Sequence, residues 1–225
     1  MIRLRSRWIT LLLEPEEGGR LLKFSDKVAK RNLLGVKGCV EHAFSPGTQV
    51  VSFARSEAKE LSDFPSGCYL ARVDQTQGYH RASLSRQGWV RLNGVRRPVR
   101  MTKTVTLPTR GRKVLFTQQL QNPSARSISF LFASELNLNL KDAHVNRTGE
   151  APGVQRFAVV DPAARLQVSW AFSRPARLWH FPLEKGSGAN RVFEGMSLTS
   201  VWTVQICPRG SWQVRWEVAV GAPDV

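Results

Sequence analysis

Cysteine is scarce in this sequence, and its spacing excludes two kinds of cross-link. Cys39, Cys68 and Cys207 are the only cysteines among 225 residues, and none belongs to a Cys-x-x-Cys pair or has a histidine at zinc-ligand spacing. An odd number of isolated cysteines argues against a disulfide framework and is typical of a reducing compartment. The sequence therefore predicts a cytoplasmic protein without a structural metal, and no other cofactor motif is present.

Long hydrophobic runs are also missing. The apolar stretch Trp8–Leu13 follows three arginines near the start, but Glu14 and Pro15 end it at once. A secretion signal needs a longer apolar segment and a small-residue cleavage site, and a membrane helix needs about 20 apolar residues. The sequence thus predicts neither secretion nor a membrane span.

Acidic residues are few relative to basic ones. There are 17 Asp and Glu against 33 Lys and Arg, which gives a formal net charge of +16. Such an excess favours anionic partners, either nucleic acid or an acidic protein. The charge is spread along the chain, however, and no recognisable nucleic-acid-binding module accompanies it, so nucleic acid is the less favoured partner. The basic patch predicted for such a partner consists of Arg96, Arg97, Arg110, Arg112 and Lys113.

Sustained helical periodicity is absent after Leu61, which argues against an alternating βα fold. The chain instead shows short strand-like runs separated by turn formers such as Gln87-Gly88 and Asn93-Gly94, with one helical turn predicted at Ser56–Leu61. The predicted runs are Trp8–Leu13, Arg20–Phe24, Asn32–Val36, Val50–Phe53, Cys68–Val73, Tyr79–Arg86, Trp89–Leu92, Val99–Leu107, Lys113–Leu120, Ile128–Leu140, Gln155–Val160, Arg165–Phe172, Leu178–Leu183, Met196–Ile206 and Ser211–Val220. We predict an all-β protein, a large antiparallel β-sandwich with few or no helices. Residues 1–225 are expected to form one domain, with 1–7 as a basic lead-in and 221–225 as a frayed tail.

The run Ile128–Leu140 has the longest two-residue alternation in the chain. Its apolar face consists of Ile128, Phe130, Phe132, Leu136, Leu138 and Leu140, interrupted only by Ser134. The opposite face carries Glu135, Asn137 and Asn139. This period predicts a half-buried strand, whose polar face is the first candidate site.

Several segments, in this order, resemble the C-terminal domain of family 57 glycoside hydrolases, the α-amylase and 4-α-glucanotransferase type. The matching segments are Gly18-Gly19, Asn32–Leu34, Leu61–Phe64 with Gly67 and Tyr69, Lys103, Glu135–Leu138, Leu178–Glu184 and Phe193–Gly195. The chain departs from the family pattern at Gly35, where an Asp is usual, and at Lys185–Gly188, where the family has a loop rich in Ser and Glu. The likeness covers nearly the whole chain.

The resemblance implies a galactose-mutarotase-like supersandwich that packs beside a catalytic β/α barrel. The barrel, which holds both catalytic carboxylates in that family, is missing from this sequence. The resemblance therefore implies a carbohydrate-binding or structural domain of α-glucan metabolism that is not catalytic alone. Its implied partners are an α-glucan or maltooligosaccharide and a barrel subunit encoded elsewhere or lost.

Sugar recognition calls for flat aromatic faces together with carboxylates and amides. We expect Trp179 to stack on a sugar ring, and His180, Glu184, Glu135 and Asn137 to contribute polar contacts. A mutarotase-like epimerase is a second alternative, and it would need a Glu and a His on opposite sides of the sugar. Histidines occur at positions 42, 80, 144 and 180, and the sequence alone pairs none of them with an acid.

Overall fold

A computed structural model of the protein describes residues 1–140, 147–185 and 192–223. Within these residues the strands are β1 (Ile2–Arg5), β2 (Ile9–Glu14), β3 (Arg20–Asp26), β4 (Arg31–Asn32), β5 (Leu34–Phe44), β6 (Leu70–Gln75), β7 (Tyr79–Leu92), β8 (Val95–Pro108), β9 (Lys113–Gln121), β10 (Ile128–Leu138), β11 (Gly149–Asp161), β12 (Leu166–Lys185), β13 (Val192–Ile206) and β14 (Ser211–Gly221). The helix is α1 (Val50–Ala54). His144 and the glycine-rich segment 186–190 lie outside the described residues.

The strands join into a single antiparallel sheet that curls over a central core. Its order is β1-β2-β3-β5-β10-β13-β12-β14-β9-β8-β7-β6, with β4 paired to β3 and β11 paired to β12. Buried residues from both halves of this order, including Leu11, Phe130, Val105 and Trp216, belong to one hydrophobic cluster. The predicted all-β antiparallel architecture is confirmed.

One predicted turn is wrong. Gln87 and Gly88 lie inside β7 and pair with Arg100 and Val99 of β8, so the two predicted strands on either side form one. Gly88 leaves room for a neighbouring carboxylate, since a Cβ there would lie 2.5 Å from Asp63 Oδ1. The glycine therefore marks a point where the Asp63 side chain closely approaches the strand backbone, which is a common reason for a single glycine within a strand.

The turn predicted at Asn93-Gly94 is confirmed. Both residues have positive φ, 49° and 78°. This pair of angles is that of the tight two-residue turn that joins strands of a hairpin, and Asn-Gly is the sequence that favours it. It joins β7 to β8 in one long hairpin.

Helix and strand are exchanged in the segment between β5 and β6. Val50–Phe53, predicted as a strand, belongs to α1 (Val50–Ala54), whereas Ser56–Leu61, predicted as a helical turn, is irregular. The helix places Phe53 against aromatic residues of β5 and β12, and this tertiary contact outweighs the local strand preference. With five residues, α1 is far short of the about 20 needed to cross a bilayer, and no helix in the described part of the chain is long and apolar enough to do so.

Within the described residues, each of the two segments assigned to the ends of the domain contains strand residues. Ile2–Arg5, expected to belong to a lead-in, forms β1 and pairs with β2. Gly221, expected to begin a frayed tail, ends β14 and pairs with Gln167. The edge of the sheet at β1 is therefore a regular strand with two exposed arginines, Arg3 and Arg5.

The strand β10 lies between β5 and β13 and is buried on both faces, not on one as predicted. Its predicted apolar face does contact the large core. On the other face, Leu131 and Ala133 belong to a second, smaller cluster that α1 and β12 cover. Glu135 and Asn137 follow on that same face and are 6% and 3% exposed, so the predicted polar face lies in a recess and not on an open surface.

A charged pair sits in the middle of the large core. Lys103 and Glu41 are fully buried and form an ion pair, and the Lys103 ammonium also donates to the carbonyls of Cys39 (2.6 Å) and Gly18 (3.3 Å). Gln118 donates to both Glu41 (2.7 Å) and Ser134 (2.9 Å). Burial raises the pKa of Glu41, whereas the Lys103 charge lowers it. Ser134, the interruption in the apolar face of β10, is thus part of a buried hydrogen-bonded network.

Candidate functional site

The candidate site is a recess of about 520 Å³, here called the polar cavity, beside the second hydrophobic cluster. Its polar lining comes from β5, β10 and the segment after α1, and its apolar lining comes mainly from α1, β12 and Phe44 of β5. The residues used in the argument are His42, Phe53, Glu60, Glu135, Asn137 and Phe181. A volume of several hundred Å³ is that of a small-ligand site.

His42 bridges two carboxylates at one side of the polar cavity. Its Nδ1 lies 2.9 Å from Glu60 Oε2, and its Nε2 lies 3.3 Å from Glu135 Oε2. The other Glu60 oxygen accepts from the amide of Ala43 (2.9 Å) and from the amide (2.9 Å) and hydroxyl (2.6 Å) of Ser62. The imidazole ring stacks on Phe44 at 5.4 Å. The three charged groups are therefore held in fixed positions by the surrounding backbone and rings.

The electrostatics of this trio favour a protonated imidazole. Burial lowers the pKa of His42, but the hydrogen bonds to Glu135 and Glu60 and their charges outweigh burial and raise it to about 9. Protonated His42 donates from both ring nitrogens, one to each carboxylate. At neutral pH the polar cavity therefore contains a cationic imidazole between two carboxyl groups.

The stability of the fold is expected to depend on this proton. Because the pKa of His42 is raised from 6.5 in the unfolded chain to about 9 in the folded one, its contribution is complete below pH 6.5 and is lost as the pH rises through 9. We expect the free energy of unfolding to fall by on the order of 3 kcal/mol between pH 6.5 and 10. Urea unfolding across that range measures the fall, and an NMR titration of the His42 ring locates the pKa.

His42→Asn is the control for this pH dependence. Lysines, tyrosines and cysteines also titrate in the alkaline range, but they contribute to the pH dependence of the unfolding free energy in both wild type and variant. The difference between wild type and variant isolates the histidine. Equal slopes of unfolding free energy against pH in the two proteins would show that His42 is not held protonated by its neighbours.

Asn137 supplies an unsatisfied acceptor. Its Nδ2 donates to Glu135 Oε1 at 3.1 Å, which fixes the orientation of the amide. Its Oδ1 is buried and has no hydrogen-bond partner among the residues that the structure describes. A buried acceptor without a partner costs about 1–3 kcal/mol, so a group that donates to it from within the cavity would be bound favourably.

Trp179 lies behind the cavity wall and not on its surface. The side chain is fully buried, with Phe44 and Phe53 at centroid distances of 6.2 and 5.8 Å, and its Nε1 donates to Glu150 at 2.5 Å. Direct stacking of Trp179 on a sugar, as predicted, does not fit this placement. Phe44, Phe53 and Phe181 are the phenylalanines that line the cavity, and the rings of Phe53 and Phe181 are 5.7 Å apart.

Two further predicted residues lie apart from the polar cavity. His180 is on the opposite face of β12 from Trp179 and Phe181, and its Nδ1 lies 3.1 Å from the carbonyl of Arg147. Glu184 is exposed near the end of β12 and does not line the cavity. Of the five predicted sugar-contacting residues, the structure brings only Glu135 and Asn137 into the cavity.

The predicted basic patch is split between the two ends of β8. Arg96 and Arg97 follow the hairpin turn, whereas Arg110, Arg112 and Lys113 lie beyond the other end, about 40 Å away along an extended strand. Arg112 forms a bidentate ion pair with Asp26 (2.8 and 2.9 Å), and Lys113 pairs with Glu217 at 3.0 Å. The five residues therefore do not form one surface.

His42, Glu60, Phe53 and Phe181 are site residues that sequence reasoning missed. His42 and Glu60 are 18 positions apart, and neither is within 70 positions of Glu135, so no local pattern joins them. The sequence predicts a strand at Phe53, and a strand there does not indicate that the ring lines the cavity. For Phe181 the sequence does contain one indication. It is two residues from Trp179 and therefore lies on the same face of β12.

Comparison with known proteins places the chain in a family. Residues 37–216 match the family described as alpha-amylase/4-alpha-glucanotransferase, C-terminal. The 4-alpha-glucanotransferase of Thermococcus kodakarensis is 28% identical over 172 residues, and the match covers 73% of this chain and 23% of that protein. The chain thus spans about a quarter of the relative it matches.

Solved structures show the same fold. The 4-alpha-glucanotransferase of Thermococcus litoralis superposes with a TM-score of 0.81 at 18% identity, covering 97% of this chain and 37% of that one. A galactose mutarotase-like protein from Clostridium acetobutylicum gives 0.70 at 8% identity, covering 98% and 95%. The galactose-mutarotase-like supersandwich implied by the sequence resemblance is confirmed. Since the family match covers well over half of the sequence, the chain belongs to the alpha-amylase/4-alpha-glucanotransferase C-terminal family.

Proposed function

We propose that this protein is a non-catalytic domain of α-glucan metabolism that holds an α-glucan oligosaccharide in the polar cavity. The observation that carries the proposal is the buried, unpartnered Oδ1 of Asn137 in a recess that also presents Glu135, Phe53 and Phe181. A sugar hydroxyl can donate to the amide oxygen while the apolar face of the ring lies on phenylalanine. Membership in a family named for glucan-processing enzymes supports this class of ligand.

The arrangement favours binding over epimerisation. A mutarotase needs its general acid and general base on opposite sides of the sugar. Here the imidazole of His42 lies 3.3 Å from Glu135 and 2.9 Å from Glu60, so the acid and its candidate bases contact each other and leave no space for a ring between them. The trio is suited to accepting hydrogen bonds from hydroxyl groups through its carboxylates.

Titration with maltooligosaccharides tests the proposal. Asn137→Ala is expected to weaken binding about three- to tenfold, because one hydrogen bond contributes about 0.5–1.5 kcal/mol. Isothermal titration calorimetry measures the affinity, and tryptophan fluorescence gives a second readout because Trp179 contacts the cavity residue Phe53.

Asn139→Ala is the matched control for this titration. Asn139 is two positions further along the chain, and it does not line the polar cavity. The proposal is contradicted if wild-type protein does not bind maltooligosaccharides, or if both alanine variants lower the affinity equally.

We also propose that catalysis is supplied by a β/α barrel outside these 225 residues. The chain covers only 23% and 37% of two 4-alpha-glucanotransferases, which leaves most of each relative without a counterpart here. A cytoplasmic location, where such glucan-processing partners would be met, belongs to the same proposal. Co-purification of a barrel protein with this chain from the native source would support this part of the proposal, and its absence would contradict it. Neither result bears on sugar binding.

A further inference from the structure

A second recess, here called the basic cleft, adjoins the polar cavity across the segment 58–61. Lys59 and Leu61 line the cleft, whereas Ala58 and Glu60 line the cavity. The cleft has a volume of about 640 Å³. Its charged lining consists of Lys59, Arg91, Arg97 and Arg126, and no carboxylate is among the described residues that line it.

Backbone hydrogen bonds fix the walls of the basic cleft. The amide of Arg91 donates to the carbonyl of Leu61 at 2.6 Å, and the amide of Leu61 donates to the carbonyl of Ala43 at 2.8 Å. These bonds join the end of β7 to β5 through the intervening segment. The tight Asn93-Gly94 turn holds the hairpin on the other side. The cleft is therefore largely formed before any ligand arrives, which lowers the entropic cost of binding.

The cations of the cleft have no acidic partner within the described part of the chain. None of the four takes part in an ion pair between described residues, in contrast to Arg112 and Lys113. Arg91 is moreover directly opposite Arg96 in the β7–β8 pairing, which places like charges side by side. The ring of Trp89 lies 4.4 Å from the Arg96 guanidinium and 5.7 Å from that of Arg91, and it offsets part of the repulsion. A bound anion would offset the rest.

We propose that the basic cleft binds the phosphate group of a small phosphate ester. Guanidinium groups match phosphate oxygens in two parallel hydrogen bonds, and lysine adds a compact positive charge. The hydroxyls of Ser45, Ser127 and Ser129 line the same cleft and can donate to further oxygens. A volume of about 640 Å³ suits a small molecule and not a nucleic-acid duplex. This site does not depend on sugar binding in the polar cavity.

The test compares ligands that differ in charge. Inorganic phosphate and glucose 6-phosphate are titrated into the full-length protein by calorimetry, with glucose as the uncharged control and a short DNA duplex as the polyanion. Arg97→Gln and Arg126→Gln are each expected to weaken phosphate binding at least about tenfold, because each variant loses a charge-assisted hydrogen bond to a phosphate oxygen. Arg100→Gln removes an exposed cation of β8 that does not line the cleft and serves as the matched control.

The outcomes separate the sources of the anion. Tighter binding of glucose 6-phosphate than of inorganic phosphate identifies the ligand as an ester, whereas equal affinities identify it as the free anion. Both results support the site if Arg100→Gln binds phosphate as tightly as the wild type does. Equal weakening in all three variants would show attraction by the overall charge and overturn the proposal. Binding of duplex DNA alone, or of no anion at all, would also overturn it. Thermal unfolding of each variant confirms that the fold is retained.

Discussion

Replacing Lys103 with methionine is expected to lower the free energy of unfolding by about 3–5 kcal/mol, because it leaves a buried carboxylate without its counter-charge. Lys103 and Glu41 are both fully buried, so water cannot take over the lost interaction. The carbonyls of Cys39 and Gly18 lose their hydrogen bonds from the ammonium in the same step. Urea denaturation of wild type and variant at pH 7 measures the difference.

A second substitution distinguishes the buried charge from lost packing. Glu41→Gln added to Lys103→Met removes the carboxylate but keeps an acceptor for Gln118. We expect the double variant to recover much of the stability that the single variant loses. If the double variant is as unstable as the sum of the two single variants, the two residues act independently and the core pair is not the cause.

Trp179→Ala is expected to cost about 3–5 kcal/mol of unfolding free energy, the usual range for truncating a fully buried aromatic side chain. The indole packs against both Phe44 and Phe53, which also contact each other, and it donates to Glu150, so its removal leaves a cavity in the small cluster behind the polar cavity. The measurement is again urea unfolding, accompanied by titration with maltooligosaccharides under conditions where the variant is folded.

Trp179→Phe is the companion variant. It keeps an aromatic ring in the cluster and loses the hydrogen bond to Glu150, so the expected cost is only about 1 kcal/mol. A folded Trp179→Ala variant of nearly wild-type stability that no longer binds sugar would contradict the buried placement. That result would restore the stacking role predicted from the sequence.

The strand β10 shows what a periodic pattern can and cannot predict. Alternation located the strand and its core-facing residues, because a strand places every second side chain on one face. It also predicted that Glu135 and Asn137 lie on the same face of the strand, since they are two positions apart. It did not predict that the second face is covered, because the cover comes from α1, whose five residues are too few for a helical period.

The rest of the candidate site depends on contacts between distant parts of the chain. His42 meets Glu60 and Glu135 only because β5 pairs with β10 and the segment after α1 folds back onto β5. The same covering by α1 explains why Trp179 is buried, although it is predicted to stack on a sugar ring. Family resemblance supplied the fold, whereas these side-chain positions required the three-dimensional arrangement.

The order of strands in the sheet has a consequence for how the chain folds. Phe44 of β5 pairs with Leu131 of β10, about 90 residues further on, and β9 pairs with the distant β14. Contacts between such remote segments slow folding, because long loops must close before the contacts form. At a synthesis rate of about 5–20 residues per second, roughly 5–20 s pass between the synthesis of β5 and that of β10. During this time the edge of β5 that pairs with β10 has unpaired backbone hydrogen-bonding groups. The nascent chain is therefore most vulnerable to aggregation in that interval, before its central strand emerges from the ribosome.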